Sequence, residues 1–255
     1  MNSSLLRQTL ISAVFLAASI HAYSQTCSNV DPTTGAITGS SVSCGPSSGR
    51  IGAASPQSGI SVSVNSGTTV DLGQSFGSNT STILLGSGTA QTPITINVGN
   101  GAIVSSPNSG NVNNEAIYFG NYGNLTIGNN AKVINYASGG NGPSGSTGNN
   151  TIEFGSNNTV VINSGALVYS AGTSGSSEAI NPTGSGNTIT NNGTIQSKTG
   201  SALWFQTATP TGAPNVVNNY GSIVSEQANQ TVFGGNGSVN FTNQTGGYVG
   251  GNVAF

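Results

Sequence analysis

Residues 191–197 have the sequence NNGTIQS, and a close variant, NNYGSIVS, follows at residues 218–225. A looser copy, INSGALVYS, stands upstream at residues 162–170. The glycines of these copies, Gly165, Gly193 and Gly221, are 28 residues apart each time. A repeat period of roughly 20–50 residues is typical of proteins built from stacked units. This repeat decides the fold prediction.

Each repeat contains three short segments of strand type. The first precedes the Asn-rich turn, as in NTVVI at 158–162, and the second follows it, as in ALVYS at 166–170. The third comes after a loop of variable length, as in NTIEF at 150–154. Parallel strands separated by tight turns can stack about 4.8 Å apart. We predict an all-β, right-handed parallel β-helix of about seven three-stranded rungs. A globular β-sandwich is the alternative, although it does not require register-matched repeats.

Stacking in register brings like residues together along the axis. The aliphatic residues Leu167, Ile195 and Ile223 are predicted to fill the interior. The asparagines are predicted to form a hydrogen-bonded ladder, and the glycines to supply the turns. These ladder and turn residues are Asn163, Gly165, Asn191, Gly193, Asn219 and Gly221.

The composition excludes several classes of protein. Charged residues make up 4% of the chain, against about 25% in an ordinary soluble domain. With 39 glycines and many Asn, Ser and Thr residues, the chain is a poor helix former. Recurrent Val, Ile and Phe argue against disorder. The few basic residues are scattered, so neither nucleic acid nor an anionic membrane is a predicted partner.

The N-terminal sequence predicts export and three regions. Residues 1–24, with Arg7 before an apolar stretch and small residues near Ser24, resemble a cleavable signal peptide. Residues 25–58 are predicted to form a loop or cap held by a disulfide between Cys27 and Cys44, and residues 59–255 the β-helix. The mature chain has no further apolar run of membrane-spanning length. We therefore expect an extracellular or cell-surface location, or the periplasm if the chain is not secreted.

A cleaved signal followed by NNGTI and NNYGSI units and few cysteines resembles the passenger domain of bacterial autotransporters. The resemblance covers about residues 55–255 and does not include the translocator barrel of that family. It implies a β-helix exported across the outer membrane, acting in adhesion, autoaggregation or biofilm formation. The partners it implies are a glycan, a host or bacterial surface protein, or a second copy of the chain.

No catalytic, metal or cofactor site is predicted. Removal of residues 1–24 takes away His21, the single histidine of the chain, and two thiols without histidine cannot close a zinc site. The remaining acid–base groups are carboxylates. Glu115 and Glu178 occupy equivalent positions in two EAI segments, about 10 Å apart by strand spacing, with Asn150 between them. A polysaccharide-active β-helix enzyme using such acidic residues is the alternative function.

One outward column is predicted to contact a ligand. In the third segments, aliphatic residues alternate with Tyr118, Glu153, Asn181 and Trp204. Strand alternation would send these four residues outward, one above another, in four successive units. Outward aromatic rings beside polar groups can stack on sugars or on another protein. The alternative is that an inserted loop covers and buries them.

Overall fold

The computed structural model describes residues 27–31, 34–46, 49–52, 58–71, 81–106, 115–136, 149–173, 177–206, 212–227 and 231–253. The predicted signal peptide lies outside these residues. Within the described ranges, twenty-three short strands, numbered in chain order, form three parallel sheets of eight, seven and eight strands. Among the described residues there is no helix. The chain is a parallel β-helix, as the repeat predicts.

The strands of each sheet come from successive rungs. The first sheet contains β1 (Ser41–Cys44), β3 (Ser61–Val64), β6 (Ile94–Val98), β9 (Gly123–Ile127), β12 (Thr159–Ile162), β15 (Thr188–Asn191), β18 (Asn215–Asn219) and β21 (Val239–Asn243). The second contains β4 (Thr69–Asp71), β7 (Ile103–Ser106), β10 (Lys132–Asn135), β13 (Leu167–Ser170), β16 (Thr194–Ser197), β19 (Ser222–Ser225) and β22 (Tyr248–Gly250). The third contains β2 (Ile51–Gly52), β5 (Ile83–Leu84), β8 (Ile117–Phe119), β11 (Ile152–Phe154), β14 (Ile180–Pro182), β17 (Leu203–Phe205), β20 (Thr231–Gly235) and β23 (Asn252–Val253).

The core is a set of inward columns produced by strand alternation. Val160, Ile189 and Val217 are register neighbours in the first sheet, and all three are fully buried. In the third sheet the rings of Phe119 and Phe154 stack with centroids 5.2 Å apart. Burial of an aliphatic or aromatic side chain stabilises the fold by about 1.5–3 kcal/mol, and the stacked rungs repeat that contribution along the axis.

One interior prediction is wrong. Val168, not Leu167, aligns with Ile195 and Ile223, and these three side chains are buried. Leu167 instead aligns with Thr194 on the outer face of the second sheet. A shift of one residue along a strand moves a side chain to the opposite face.

The asparagine ladder exists, but it begins later than predicted. Asn191 donates from Nδ2 to Oδ1 of Asn219 over 2.8 Å, and Asn219 donates to Oδ1 of Asn243 over 2.7 Å. Asn163 lies outside this ladder because the register aligns Asn191 with Ile162. Upstream rungs therefore carry aliphatic residues where later rungs carry asparagine.

The three predicted turn glycines are required for two different reasons. Gly165 has a φ of 71°, in the left-handed region that favours glycine. Gly193 and Gly221 align instead with Ala166 at the start of the second sheet. A Cβ at Gly221 would collide with the carbonyl oxygen of Gly193, so close backbone approach requires glycine there. Although the glycines are equally spaced, the turn before β13 has four residues, whereas the turns before β16 and β19 have two.

The stack begins earlier than predicted, because β1 and β2 already belong to the first and third sheets. The sequence placed this region, up to residue 58, in the cap. A disulfide joins Cys27 to Cys44, the last residue of β1. The Ser28 amide donates to the Ser43 carbonyl over 2.9 Å, so the segment after Cys27 covers the edge of the first strand. The disulfide thus pins a cap on the N-terminal edge of the β-helix.

Candidate functional site

The four residues of the predicted ligand column lie in four successive strands of the third sheet. Glu153 is the register neighbour of both Tyr118 and Asn181. Leu203 pairs with Ile180, so the next residue, Trp204, aligns with Asn181. Tyr118, Glu153 and Trp204 are half-buried. The indole of Trp204 covers the next rung, because a Cβ at Gly234 would lie 2.5 Å from its Cε3 atom. Three of the four side chains keep a partial outward surface.

Asn181 departs from the prediction, since its side chain is only 4% exposed. Its Nδ2 atom donates to Oε1 of Gln206 over 3.2 Å. Its buried Oδ1 atom has no hydrogen-bond partner in the described part of the chain. Asn181 therefore lies beneath the surface of the column.

The buried residues Glu115 and Glu178 lie near the half-buried Glu153 of this column, and we call these three residues the glutamate cluster. Glu115 and Glu178 each stand two residues before aligned isoleucines, and Asn150 occupies the same position on the rung between them. Ser81 Oγ donates to Glu115 Oε2 over 2.7 Å, and Asn150 Nδ2 donates to Glu153 Oε2 over 2.9 Å. The charge of Glu153 acts on both Glu115 and Glu178, the two acids that occupy equivalent positions in the EAI segments.

Burial raises the carboxyl pKa values of the cluster. Desolvation, followed by the charge of Glu153, raises the pKa of Glu115 to about 7, against the hydrogen bond from Ser81. Desolvation, with the same charge as a smaller cause, raises the pKa of Glu178 to about 7. Desolvation also raises the pKa of Glu153, against the Asn150 hydrogen bond. A carboxyl that titrates near neutral pH can act as a general acid or base.

Tyr118 is electrostatically coupled to the cluster. Desolvation raises the pKa of its hydroxyl, and the charges of Glu153 and Glu115 raise it further. No group of three His, Cys, Asp or Glu residues in the described part of the chain is arranged to hold a metal ion. The carboxyl groups of the cluster can offer proton transfer and hydrogen bonding.

The second sheet carries a group of residues that sequence analysis missed. Burial, followed by hydrogen bonding to Glu226 and its charge, raises the pKa of Tyr169 to about 12. Gln196 Nε2 donates to Glu226 Oε1 over 2.6 Å, and Tyr136 nearby is 46% exposed. Successive members of this group are 27 to 33 positions apart in the sequence, so only the strand register could have identified the group.

The outer face of the first sheet differs from both others, and we call it the first-sheet face. It consists of two columns of outward residues separated by one inward residue on each strand. The first column is Ser41, Ser61, Thr95, Asn124, Thr159, Thr188, Val216 and Asn240. The second column is Ser43, Ser63, Asn97, Thr126, Val161, Thr190, Asn218 and Thr242. No charged residue occurs in either column, and none of these side chains is fully buried.

The polar groups of the first-sheet face point away from the protein. Ser43 Oγ donates to Asn65 Oδ1 over 3.3 Å. Within the described ranges, no other side chain of the two columns hydrogen-bonds a protein group. The interior asparagines behave in the opposite way, as Asn187 Nδ2 donates to Asn215 Oδ1 over 2.9 Å. The face therefore presents donors and acceptors that are available to an external partner.

Comparison with known proteins finds no matching family model, no similar curated protein and no similar solved structure. Within the described residues, no helix is both long enough and apolar enough to cross a membrane.

Proposed function

We propose that this chain is a secreted or cell-surface protein of the autotransporter passenger type. It acts in adhesion, autoaggregation or biofilm formation through the lateral surface of its β-helix. The observation that carries this proposal is the alignment of outward side chains into columns that continue from rung to rung. A repeating surface offers many equivalent weak contacts, and linked contacts raise avidity without any new type of contact.

The low charge of the outer faces supports the same proposal. Ion pairs between exposed groups are screened by salt, with a Debye length of about 8 Å at physiological ionic strength. Hydrogen bonds from Ser, Thr and Asn side chains depend much less on salt. A protein that adheres through the first-sheet face would hold its partner over a wide range of salt concentration.

The test is an adhesion assay with beads that carry the purified chain. We expect the beads to bind glycan-coated surfaces, surface-protein extracts or one another, and to remain bound when the salt concentration is raised. Beads coated with an unrelated β-rich protein of similar charge are the control. Equal retention of both bead types, or release of the chain-coated beads by salt, would contradict the proposal.

Export is tested separately through the N-terminus. The full chain expressed in a bacterial host should lose residues 1–24, and mass spectrometry of the exported protein should find Gln25 as its first residue. Replacing the apolar residues Val14 and Leu16 with Asp should keep the chain inside the cell, because a signal peptide needs an apolar central region. Normal export of that variant would contradict the proposal that residues 1–24 are a signal peptide.

A polysaccharide-active enzyme is a second candidate, favoured by the glutamate cluster. Two of its carboxyls titrate near pH 7, and Glu153 lies between them. Cleavage of a glycosidic bond commonly uses one protonated and one ionised carboxyl group. The cluster contains carboxyls in an environment that permits both states at neutral pH.

Reducing-sugar release from a panel of polysaccharides tests the enzyme hypothesis. If it is correct, Glu153→Gln abolishes release because the central carboxylate is lost, while Glu226→Gln on the second sheet leaves release unchanged. A wild-type chain that adheres to a polysaccharide without cleaving any would exclude the enzyme and leave the adhesive function in place.

A further inference from the structure

The outer faces of the three sheets differ in the kind of partner they could recognise. The second sheet carries Lys132 and the hydrogen-bonded pair Gln196 and Glu226, and the third carries the glutamate cluster. The first-sheet face has neither charged groups nor aromatic rings. Hydroxyl or amide groups occupy fourteen of its sixteen positions, the exceptions being Val161 and Val216.

The spacing of the first-sheet face is regular in two directions. Neighbouring strands of a sheet lie about 4.8 Å apart, and outward residues on one strand are about 6.6 Å apart. Eight strands therefore produce a strip about 34 Å long and two side chains wide. A partner that repeats along its own length can use the whole strip, whereas a small molecule can use only one or two rungs.

The polar groups of this strip are suited to sugar hydroxyls. Ser and Thr hydroxyls both donate and accept hydrogen bonds, and an Asn amide offers both functions side by side. A sugar hydroxyl can also both donate and accept, so each group on the strip can form a hydrogen bond with the sugar without two donors opposing each other. An anionic polymer would find no cation on the strip and would lose hydration of its own charges. The strip therefore selects for an uncharged, hydroxyl-bearing partner.

The energetics favour a polymer over a single sugar. One neutral hydrogen bond contributes little net free energy, since each partner must first give up its bonds to water. Several such bonds made by one chain share the entropic cost of binding. Because all but one of the side chains have no protein partner to release, the strip forms these bonds without losing internal ones.

We propose that the first-sheet face binds an uncharged linear polysaccharide that lies along the β-helix axis and contacts several rungs. This inference rests on the proposed adhesive function and names its surface and its partner class.

The test compares two threonines on one rung. Thr190 lies on the first-sheet face, and Thr194, four residues later, lies on the outer face of the second sheet. We expect Thr190→Arg, combined with Thr126→Arg, to reduce retention on curdlan and chitin at least tenfold. Thr194→Arg should bind as the wild type does. Alginate, an anionic polysaccharide, should not retain the wild type, and circular dichroism should show the same β content in all three proteins.

A milder variant guards against disruption of the sheet. Thr190→Val removes the hydroxyl at nearly constant volume and should weaken retention a few-fold. Retention of the arginine variant at the wild-type level would overturn the inference. So would wild-type retention by alginate alone, or a light-scattering result in which the chain binds only its own copies through this face.

The two proposals fail in different ways. If the wild-type chain adheres in the bead assay but is not retained on curdlan or chitin, this inference is refuted and the proposed adhesive function is not. A chain that adheres to nothing would refute both.

Discussion

The first and third sheets contain eight parallel strands each, yet their outer faces use polar residues in opposite ways. On the first sheet, small hydroxyl and amide groups stay at the surface and make almost no internal hydrogen bonds. Beside the third sheet, Ser81 donates a hydrogen bond to the buried carboxyl of Glu115, and Asn150 donates one to the half-buried carboxyl of Glu153. The same stacking therefore produces an outward-directed surface in one place and a titratable interior in another.

The difference shows that stacking amplifies whatever residue a position carries. A small neutral residue repeated over eight rungs costs nothing in repulsion. Buried glutamates on nearby rungs lose water and lie close to the like charge of Glu153, which raises the pKa values of Glu115 and Glu178 to about 7. Four measurements can test whether the two sheets differ in this way.

The largest effect is expected in the interior of the third sheet. Phe154→Ala removes one of two stacked rings and leaves a cavity that neighbouring rungs cannot fill, so the free energy of unfolding should fall by about 3–5 kcal/mol. Ile189→Val, inside the first sheet, should cost about 0.5–1.5 kcal/mol. Urea unfolding followed by circular dichroism measures both. A loss below that of Ile189→Val would show that the third sheet does not hold the core together.

The second prediction concerns pH. Folding raises the pKa of Glu178 from 4.5 to about 7, so the folded state binds more protons than the unfolded state between these values. The free energy of unfolding is therefore highest below about pH 4.5, where Glu178 is protonated in both states. It falls as the pH rises to about 7 and is constant above that value. Glu178→Gln should therefore be more stable than the wild type at pH 8, by on the order of 3 kcal/mol, and no more stable at pH 4. Urea midpoints at both pH values check this, and equal gains at both would contradict it.

The third prediction separates the interior ladder from the surface. Asn191→Ala leaves the buried Oδ1 atom of Asn219 and the carbonyl of Ser222 without their donor, and should cost about 1–3 kcal/mol. Asn163→Ala, at the partly exposed residue outside the ladder, should stay within about 0.5 kcal/mol. Thermal or urea unfolding distinguishes the pair. Equal losses would mean that Asn163 also bonds along the axis.

The smallest effect is expected on the first-sheet face. Thr190→Ala removes a side chain that bonds no described protein group, so the free energy of unfolding should change by less than about 0.5 kcal/mol. Thr126→Ala on the same column should behave alike. A loss above about 1 kcal/mol in urea unfolding would show that this face supports the fold, and its polar groups would then be less available to a ligand.

Much of the fold could be predicted from the sequence because stacked strands impose a period on the chain. The strand segments around Val160 and Ile195 have the alternation of half-buried strands, and the two cysteines lie close enough in sequence to pair. The boundaries were harder to predict. β2 has only two residues, too few to show any alternation, and the short alternating segment SVSC of β1 lies inside the region predicted as the cap, so the beginning of the stack was placed too late.

The candidate site could be predicted only in part. Strand alternation placed Tyr118, Glu153 and Trp204 on one column, and the repeated EAI segments singled out Glu115 and Glu178. Burial could not be predicted in the same way, because it depends on what packs above each side chain. Asn181 and Trp204 occupy the same position on successive rungs, yet one is buried and the other is half-buried.

The sequence by itself determined the class of fold, its period and its low charge, since local strand preference and repetition are properties of the chain alone. The tertiary structure decided which residues meet. Turns of two or four residues shift the register without changing a 28-residue spacing, so Asn163 and Leu167 fall one place away from where the period puts them. Only the hydrogen-bonded alignment of one rung on the next fixes which side chains form the ladder, which carboxyls share a buried cluster and which face meets solvent.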